Sequence, residues 1–392
     1  ELLLAQPLPP LQKEIVLVQS RGMARWLAME TANRLQIWAN CDYPFPNTFI
    51  SRMYKLIMPD IPDVSPFAKE FILWHLMDML PEIQDESHLI KIASYLDSGD
   101  DLKLYQLSYE IADLFDQYTL FRPRMILAWE DKTEQAPGDT AWQALIWCRL
   151  LDRLCQNQLP PDYHRARLLQ LFEKKILDPA FDHTILPPRV SVFGISSLPP
   201  YHLRVLAALA HHIDLHFFIM NPCQEYWFDI IADRDIVKIS RQEAANQDTL
   251  HLKEGNSLLA SMGHLGRDFM TMLQESNSEY LEFFKDPGDD TLLSNIQQDI
   301  FYLRENREAS LEPAYNKKII KNNDASLTFH SCHSPMREVE VLHDRLLFMF
   351  EQDKDLRPHD IMVMTPDINT YAPFIKAVFD SPENENKKIP FS

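Results

Sequence analysis

Glu14-Ile15-Val16-Leu17-Val18-Gln19-Ser20-Arg21-Gly22-Met23-Ala24-Arg25-Trp26-Leu27 is the stretch on which the fold turns. Ile15 to Val18 are apolar without alternation, the pattern of a strand buried in a parallel sheet. Gln19 ends the run and Ser20-Arg21-Gly22 reads as a turn. From Met23 to Leu35 the spacing becomes helical, with Met23, Trp26 and Leu27 on one face. Strand, short turn and helix together open a β-α unit.

The same signature returns far downstream. Arg189 to Gly194 reads as a strand, and a helix follows Pro199-Pro200 and runs through Leu203 to His211. Asp214 to Met220 is the next strand. Strand, helix and strand joined by short loops imply a parallel sheet. Upstream, Cys41 to Pro46 is a Pro-broken loop. From Thr48 to about Leu177 the pattern is almost purely helical, over Phe67–Leu80, Leu102–Tyr118, Thr140–Gln156 and Tyr163–Leu177. Within the second helix Leu104, Leu107, Ile111, Leu114 and Tyr118 form one stripe. The simplest topology is one α/β domain, begun at Glu14 and resumed at Arg189, with a helical domain inserted.

Asn221 to about Leu303 reads as mixed and mostly helical, with a turn at Asp286-Pro287-Gly288-Asp289. The polar stretch Arg304–Ser326 is a second boundary. Beyond it, Leu327–His330 reads as a strand and Ser334-Pro335 as a helix start. A helix over Arg337–Phe350, a strand over Asp360–Thr365 and a helix over Tyr371–Phe379 then predict the start of a second α/β domain.

Composition sets outer limits. A chain of 392 residues has room for two or three domains, and 46% apolar with 24% charged residues is ordinary globular material. No apolar run approaches the ~18 residues of a membrane span. The first residue is not Met, and the last residues, from Lys387 to Ser392, read like a strand cut short, so a piece of a longer protein is expected. The net charge of -19 argues against a small DNA-coating protein but leaves room for local basic grooves. Five scattered cysteines without a C-x-x-C predict a reducing compartment and no disulfide framework.

The first strand-turn-helix sits where a P-loop protein holds nucleotide. That chemistry needs G-x-x-x-x-G-K-[ST], whose backbone N–H groups and Lys grip phosphate and whose hydroxyl meets magnesium. No Gly-Lys pair occurs here, and there are only 8 glycines. Ile195-Ser196-Ser197 and Met220-Asn221-Pro222, which end the later strands, offer no carboxylate for magnesium. Nucleotide binding is not expected. A metal-dependent nuclease would draw on Asp162, Glu173, Lys174 and Lys175, but Asp162 reads as a helix N-cap and the others as that helix's solvated tail. His330, Cys332 and His333 lack a fourth zinc ligand at proper spacing. His211-His212 ends a helix, where a cation suits the dipole. No catalytic residue, metal or cofactor is expected.

Nucleic acid is the better reading. Gln19, Arg21 and Arg25 lie at a strand end and on a first helical turn, where backbone N–H groups also attract phosphate. Asp113, Asp116 and Gln117 are spaced at three and four, off the Leu107/Ile111/Leu114 stripe. Carboxylates accept from cytosine amino groups and Gln pairs with adenine. Arg122, Arg124 and Arg165 could meet phosphate or guanine. Solvated faces and surface salt bridges explain the same spacing.

Several stretches resemble the RecC family, the gamma subunit of the RecBCD helicase-nuclease (exodeoxyribonuclease V). They are Ile15–Leu27, Ala112-Asp113-Leu114-Phe115-Asp116-Gln117-Tyr118, Gly194-Ile195-Ser196-Ser197-Leu198-Pro199-Pro200 and Asn221-Pro222-Cys223. Leu258–Ala260, Leu265–Asp268 and Cys332-His333-Ser334-Pro335-Met336-Arg337-Glu338 continued to Arg345 complete the set. The resemblance implies a helicase-like parallel-sheet domain of P-loop type with its ATPase and nuclease motifs lost. It divides the chain into 1–47 with 187–303 (domain 1A), an inserted helical domain 48–186 (1B), a linker 304–326 and the start of a second α/β domain, 327–392 (2A). It implies a cytoplasmic, non-catalytic subunit that holds the RecB (beta) and RecD (alpha) subunits, aids strand separation and scans the 3′-ended single strand for the hotspot Chi. A protein-docking module that never touches DNA, and an intrinsic nuclease, are the alternatives.

The family's Chi-reading positions fall on Gln19, Arg21, Arg25, Phe45, Ser51, Asp113, Leu114, Asp116, Gln117, Arg122 and Arg165. Seven match in type. Arg21 stands where the best-known member has Thr, Arg25 where it has Gln, Phe45 where it has Leu and Ser51 where it has Trp. A lost aromatic removes a stacking surface worth ~1–3 kcal/mol per base. The resemblance therefore implies a hotspot different from the familiar one, or one read poorly.

Overall fold

The computed structural model describes residues 2–83, 86–96, 99–132, 140–157, 159, 161–230, 255–276, 278–305, 319–380 and 388–391. After a single helical turn α1 (Leu2–Ala5), the first unit begins with β1 (Glu14–Leu17), α2 (Arg21–Leu35), β2 (Cys41–Asp42) and α3 (Pro46–Ile57). Helices α4 (Lys69–Ile83), α5 (Ile90–Leu96), α6 (Asp101–Phe121), α7 (Pro123–Asp131), α8 (Ala141–Gln156) and α9 (Arg165–Ile176) follow without a strand among the described residues. Then come β3 (Arg189–Phe193), α10 (Pro200–Leu209), β4 (Asp214–Phe218), α11 (Ser257–Met262) and α12 (His264–Gln274).

The four strands form one parallel sheet in the order β2-β1-β3-β4. The chain is thus α/β, as the β1 pattern predicts. Helix α2 starts at Arg21 rather than after Gly22, because the Ser20 hydroxyl accepts the Met23 N–H at 3.1 Å and caps it. The expected loop at Cys41–Pro46 is corrected in part. Glu14 and Ile15 pair with Cys41 and Asp42, making β2 an edge strand. Pro44 and Pro46 do not forbid this, since an edge strand needs partners on one side only.

Register separates the two faces of the sheet. Ile15, Leu17, Val190, Val192, Leu215 and Phe217 stand together. They join one core with Phe49 and Met53 of α3, Leu169 and Phe172 of α9, Val205 and Leu206 of α10, and Phe269 of α12. The opposite face is more polar. There Arg189 is buried against Glu14 and donates to the Gln6 carbonyl at 2.8 Å. Helix α2 covers this face with no fully buried residue, and Trp26 stacks on Phe193 at 6.2 Å. Gly194, at φ +63°, ends β3 where Met23 of α2 comes close; a Cβ there would lie 3.3 Å from the Met23 Cε.

Helices α4, α6, α7 and α8 have a core of their own around Leu76, Phe115, Ile126, Trp147 and Leu150. The ends of the helical stretch, α3 and α9, bury most of their apolar side chains in the sheet core instead. The stripe expected on α6 is also corrected. Its fully buried line is Ser108, Ile111, Ala112, Phe115 and Thr119. Small residues at 108 and 112 let neighbouring helices approach, and Leu104, Leu107 and Tyr118 flank the contact. Leu114 is only half-buried and stands outside this core.

The chain divides into two compact units, Glu1–Lys285 with Asp299–Asn306 and Asp286–Gln298 with Arg307–Ser392. Helix α13 (Leu292–Phe301) belongs partly to each. The second unit holds α14 (Pro335–Gln352) and α15 (Ile368–Phe379), packed through Val339, Leu346 and Phe379. Ser334 caps α14 with Pro335 at its first position, as expected. The strands expected at Leu327–His330 and Asp360–Thr365 do not form among the described residues. A strand needs a hydrogen-bonded neighbour as well as an apolar run. Phe329 and Met364, 86% and 84% exposed, lie on unpaired backbone. Residues 231–254 of the mixed region and 306–318 of the expected linker lie outside the described residues.

Candidate nucleic-acid interface

Parallel α/β sheets bind ligands beyond the carboxyl ends of their strands. Gln19 follows β1 and is exposed, as are Arg21 and Arg25 on the first turns of α2. Neither arginine has an ion-pair partner among the described residues. Phe45 follows β2, 39% exposed, immediately before Pro46 at the start of α3. Ser51 is exposed on the same helix. Beyond β3, α10 opens with Tyr201 and His202, both buried.

His202 and Asn47 tie α10 to the start of α3 at 2.7 Å. The Asn47 Oδ1 can only accept, so the His202 Nε2 carries the proton. Burial, and secondarily the charge of Arg165, pushes the His202 imidazole down to about 4. Burial pushes the Tyr201 phenol up to about 12, opposed by Tyr54 and by the Arg165 charge. The Arg165 charge is therefore felt at α10 from the first residue of α9.

The second group lies on α6 and its neighbours. Lys69, the first residue of α4, donates to an Asp113 oxygen at 2.5 Å, and the Gln117 amide donates to the other at 2.7 Å. Hydrogen bonds from Lys69 and Gln117 hold the Asp113 carboxyl below its usual range, and Asp113 holds the Lys69 ammonium above its own. Lys69 also lies 3.7 Å from the ring centroid of Tyr109, one turn before Asp113. One turn the other way, Arg165 pairs with Asp116 at 2.5 Å, the two side chains 40% and 37% exposed. Arg122 caps α6 with its guanidinium 5.6 Å over the Tyr118 ring, and Arg124 lies on the first turn of α7.

The structure thus joins Asp113 with Gln117, and Asp116 with Arg165. No hydrogen bond or ion pair links Gln19, Arg21 or Arg25 to the α6 group among the described residues. The sequence reading missed Lys69, Asn47 and His202. Lys69 meets Asp113 across 44 positions and His202 meets Asn47 across 155, so local spacing carries no trace of either.

The carboxylates considered for metal chemistry are engaged elsewhere or isolated. Asp162 lies in a one-turn helix, and the residue that caps α9 is His164, which corrects the expected Asp162 cap. Glu173 receives both arms of the Arg204 guanidinium at 2.9 and 2.6 Å. Among the described residues no three His, Cys, Asp or Glu side chains are grouped to hold a metal. His212 Nε2 meets the Ile176 carbonyl at 2.7 Å rather than ending a helix, since α10 stops at Leu209. All five cysteines are free. Among the described residues no helix is long and apolar enough to cross a membrane.

Residues 1–303 match the family model described as RecC, N-terminal domain. The chain is similar to the RecBCD enzyme subunit RecC of Escherichia coli K12, with 41% identity over 402 aligned residues that cover 95% of the chain and 36% of the relative. Identity to the same subunit of Haemophilus influenzae is 36%, covering 98% and 38% of the two chains. For Mycolicibacterium smegmatis it is 32%, covering 96% and 32%. The chain spans about a third of the length of these curated relatives.

Proposed function

Because the chain belongs to the RecC family, we propose that it serves as the non-catalytic, strand-reading part of a cytoplasmic RecBCD-type complex in double-strand break repair. It holds RecB and RecD, helps to part the duplex and scans the 3′-ended single strand for a hotspot. The observation that carries this reading is the cluster on α6. Four residues flagged for base or phosphate contact, Asp113, Asp116, Gln117 and Arg165, meet there as two half-exposed pairs.

In this reading the sheet and its flanking helices are a helicase-like domain of P-loop type, the helical stretch is an insertion, and a second α/β domain begins after the linker. The β1-to-α2 turn favours a lost motor site, since Ser20 fills the helix cap where phosphate-gripping N–H groups would be needed. Gln19, Arg21, Arg25, Phe45 and Ser51 form a second contact region at the carboxyl ends of the strands. Arg21 and Arg25 add two cations there, and Ser51 offers no stacking ring, so the hotspot differs from the familiar octamer.

Co-purification with RecB and RecD, followed by mapping where the assembled complex changes its cutting of DNA, tests this. A change at a sequence other than the familiar octamer is expected. Full response to that octamer would overturn the altered specificity. Failure to assemble would overturn the subunit role. Metal-dependent cleavage by the chain alone, lost on Asp162→Ala and Glu173→Ala, would overturn the non-catalytic role.

A further inference from the structure

We propose that Lys69 is a positioning residue that fixes the Gln117 amide with its carbonyl outward, making Gln117 a reader of bases bearing an exocyclic amino group. The inference rests on the strand-reading role above and assigns the chemistry of one position in it.

Tyr109, Asp113 and Gln117 follow one another at four-residue spacing along one face of α6. Lys69 comes from the separate helix α4. Its ammonium sits on the Tyr109 ring and on one Asp113 oxygen. The other Asp113 oxygen accepts from the Gln117 Nε2 at 2.7 Å. An ionised carboxylate has no proton to give, so the amide must turn its NH2 toward Asp113. A flipped amide would set its carbonyl oxygen against the carboxylate. Lys69 holds the Asp113 carboxylate in place and occupies its other oxygen, leaving the remaining oxygen to the Gln117 NH2 and so opposing the flip.

Gln117 is exposed, so its other groups meet solvent. The Oε1 is an acceptor of set direction, and the second Nε2 proton is a donor beside it. Adenine and cytosine each offer an amino donor next to a ring-nitrogen acceptor, the complement of that pair. Thymine offers a carbonyl where the amino group would be, placing acceptor against acceptor. A good base-edge pair of this kind discriminates at least about fivefold.

The test compares affinities of the full chain for oligo(dC) and oligo(dT), both pyrimidines of similar stacking strength. The readout is the ratio of the two affinities, which a loss of charge alone would leave unmoved. The wild type is expected to favour oligo(dC) by about fivefold or more. Lys69→Met is expected to bring the ratio close to one, and Lys69→Arg to restore it. Asp113→Asn, of the same shape but able to donate or accept, is expected to lose the preference as well, and serves if Lys69→Met does not fold. Binding of both oligonucleotides with no preference, or with one that survives Lys69→Met and Asp113→Asn, would overturn the Lys69 assignment and leave strand reading intact. Absence of single-strand binding in the wild type would overturn the strand-reading role itself.

Discussion

Two polar clusters in the helical part of the first unit are each built around paired carboxylates and are placed differently. In one, the Glu130 carboxylate, 8% exposed, accepts from Trp147 Nε1 at 3.0 Å and Arg167 at 2.6 Å, with His164 Nε2 at 3.0 Å. It fastens α7 to α8 and α9. Burial works to raise the Glu130 carboxyl, but its bonds to His164, Trp147 and Arg167 prevail and hold it below its usual range. In the other cluster, Asp113 and Asp116 are paired just as closely with Lys69, Gln117 and Arg165, yet stand 41% and 37% exposed. A buried charge deprived of its partners is strongly destabilising, whereas exposed pairs contribute little to stability. The first cluster is explained by folding. The ordering of the second is not, and the proposed strand reading would give it a role.

The sharpest way to break this contrast is Glu130→Ala. With the buried His164 and the Trp147 N–H left without their acceptor, and Arg167 left with Asp131, unfolding free energy is expected to fall by roughly 2–5 kcal/mol, read by thermal or denaturant melting. A loss no larger than that of an exposed-pair variant would remove the distinction.

His202 gives the next effect, through pH. Its folded-state imidazole is depressed to about 4, against an unfolded value near the ordinary 6.5. The unfolded chain therefore binds the proton first. Stability from this group is complete above about pH 6.5 and declines as pH falls toward about 4, by roughly 3 kcal/mol in all. His202→Gln, which keeps a donor for Asn47, is expected to flatten the decline over that window in melts recorded against pH.

At the carboxyl ends of the strands, Arg21 and Arg25, without ion-pair partners among the described residues, should act on affinity through salt. Arg21→Ala and Arg25→Ala are each expected to lower the slope of log affinity against log salt by ~0.7 if each meets one phosphate of a single strand. An unchanged slope in both would exclude them from the path. The smallest expected effect is that of Asp116→Asn on melting temperature, which should stay close to the parent value.

Much of this was legible in the sequence, for identifiable reasons. Ile15–Val18 is a continuous apolar run and Val190, Val192 and Phe193 make a largely apolar one around Ser191, and their parallel pairing follows from the helices that connect them. Two-residue β2 has no such signal, because its pairing depends on where Asn40 and Pro44 fall beside β1. Helix α6 announces its length, but the small side chains of Ser108 and Ala112 hide which line is buried. Leu327–His330 has a strand's composition without a strand's neighbour. In the site, Asp113, Asp116 and Gln117 show their shared face through spacing alone. Arg165 and Lys69 arrive from helices 49 and 44 positions away, and only the packed fold reveals what they touch.

The most direct test of the central claim sets Arg165→Ala beside the parent chain, with melting temperature and salt-dependent single-strand binding measured on the same preparations. A near-unchanged melting temperature with clearly weaker binding is the predicted result. A large fall in melting temperature with binding intact would contradict it, and would make the α6 cluster a second structural clasp like that of Glu130.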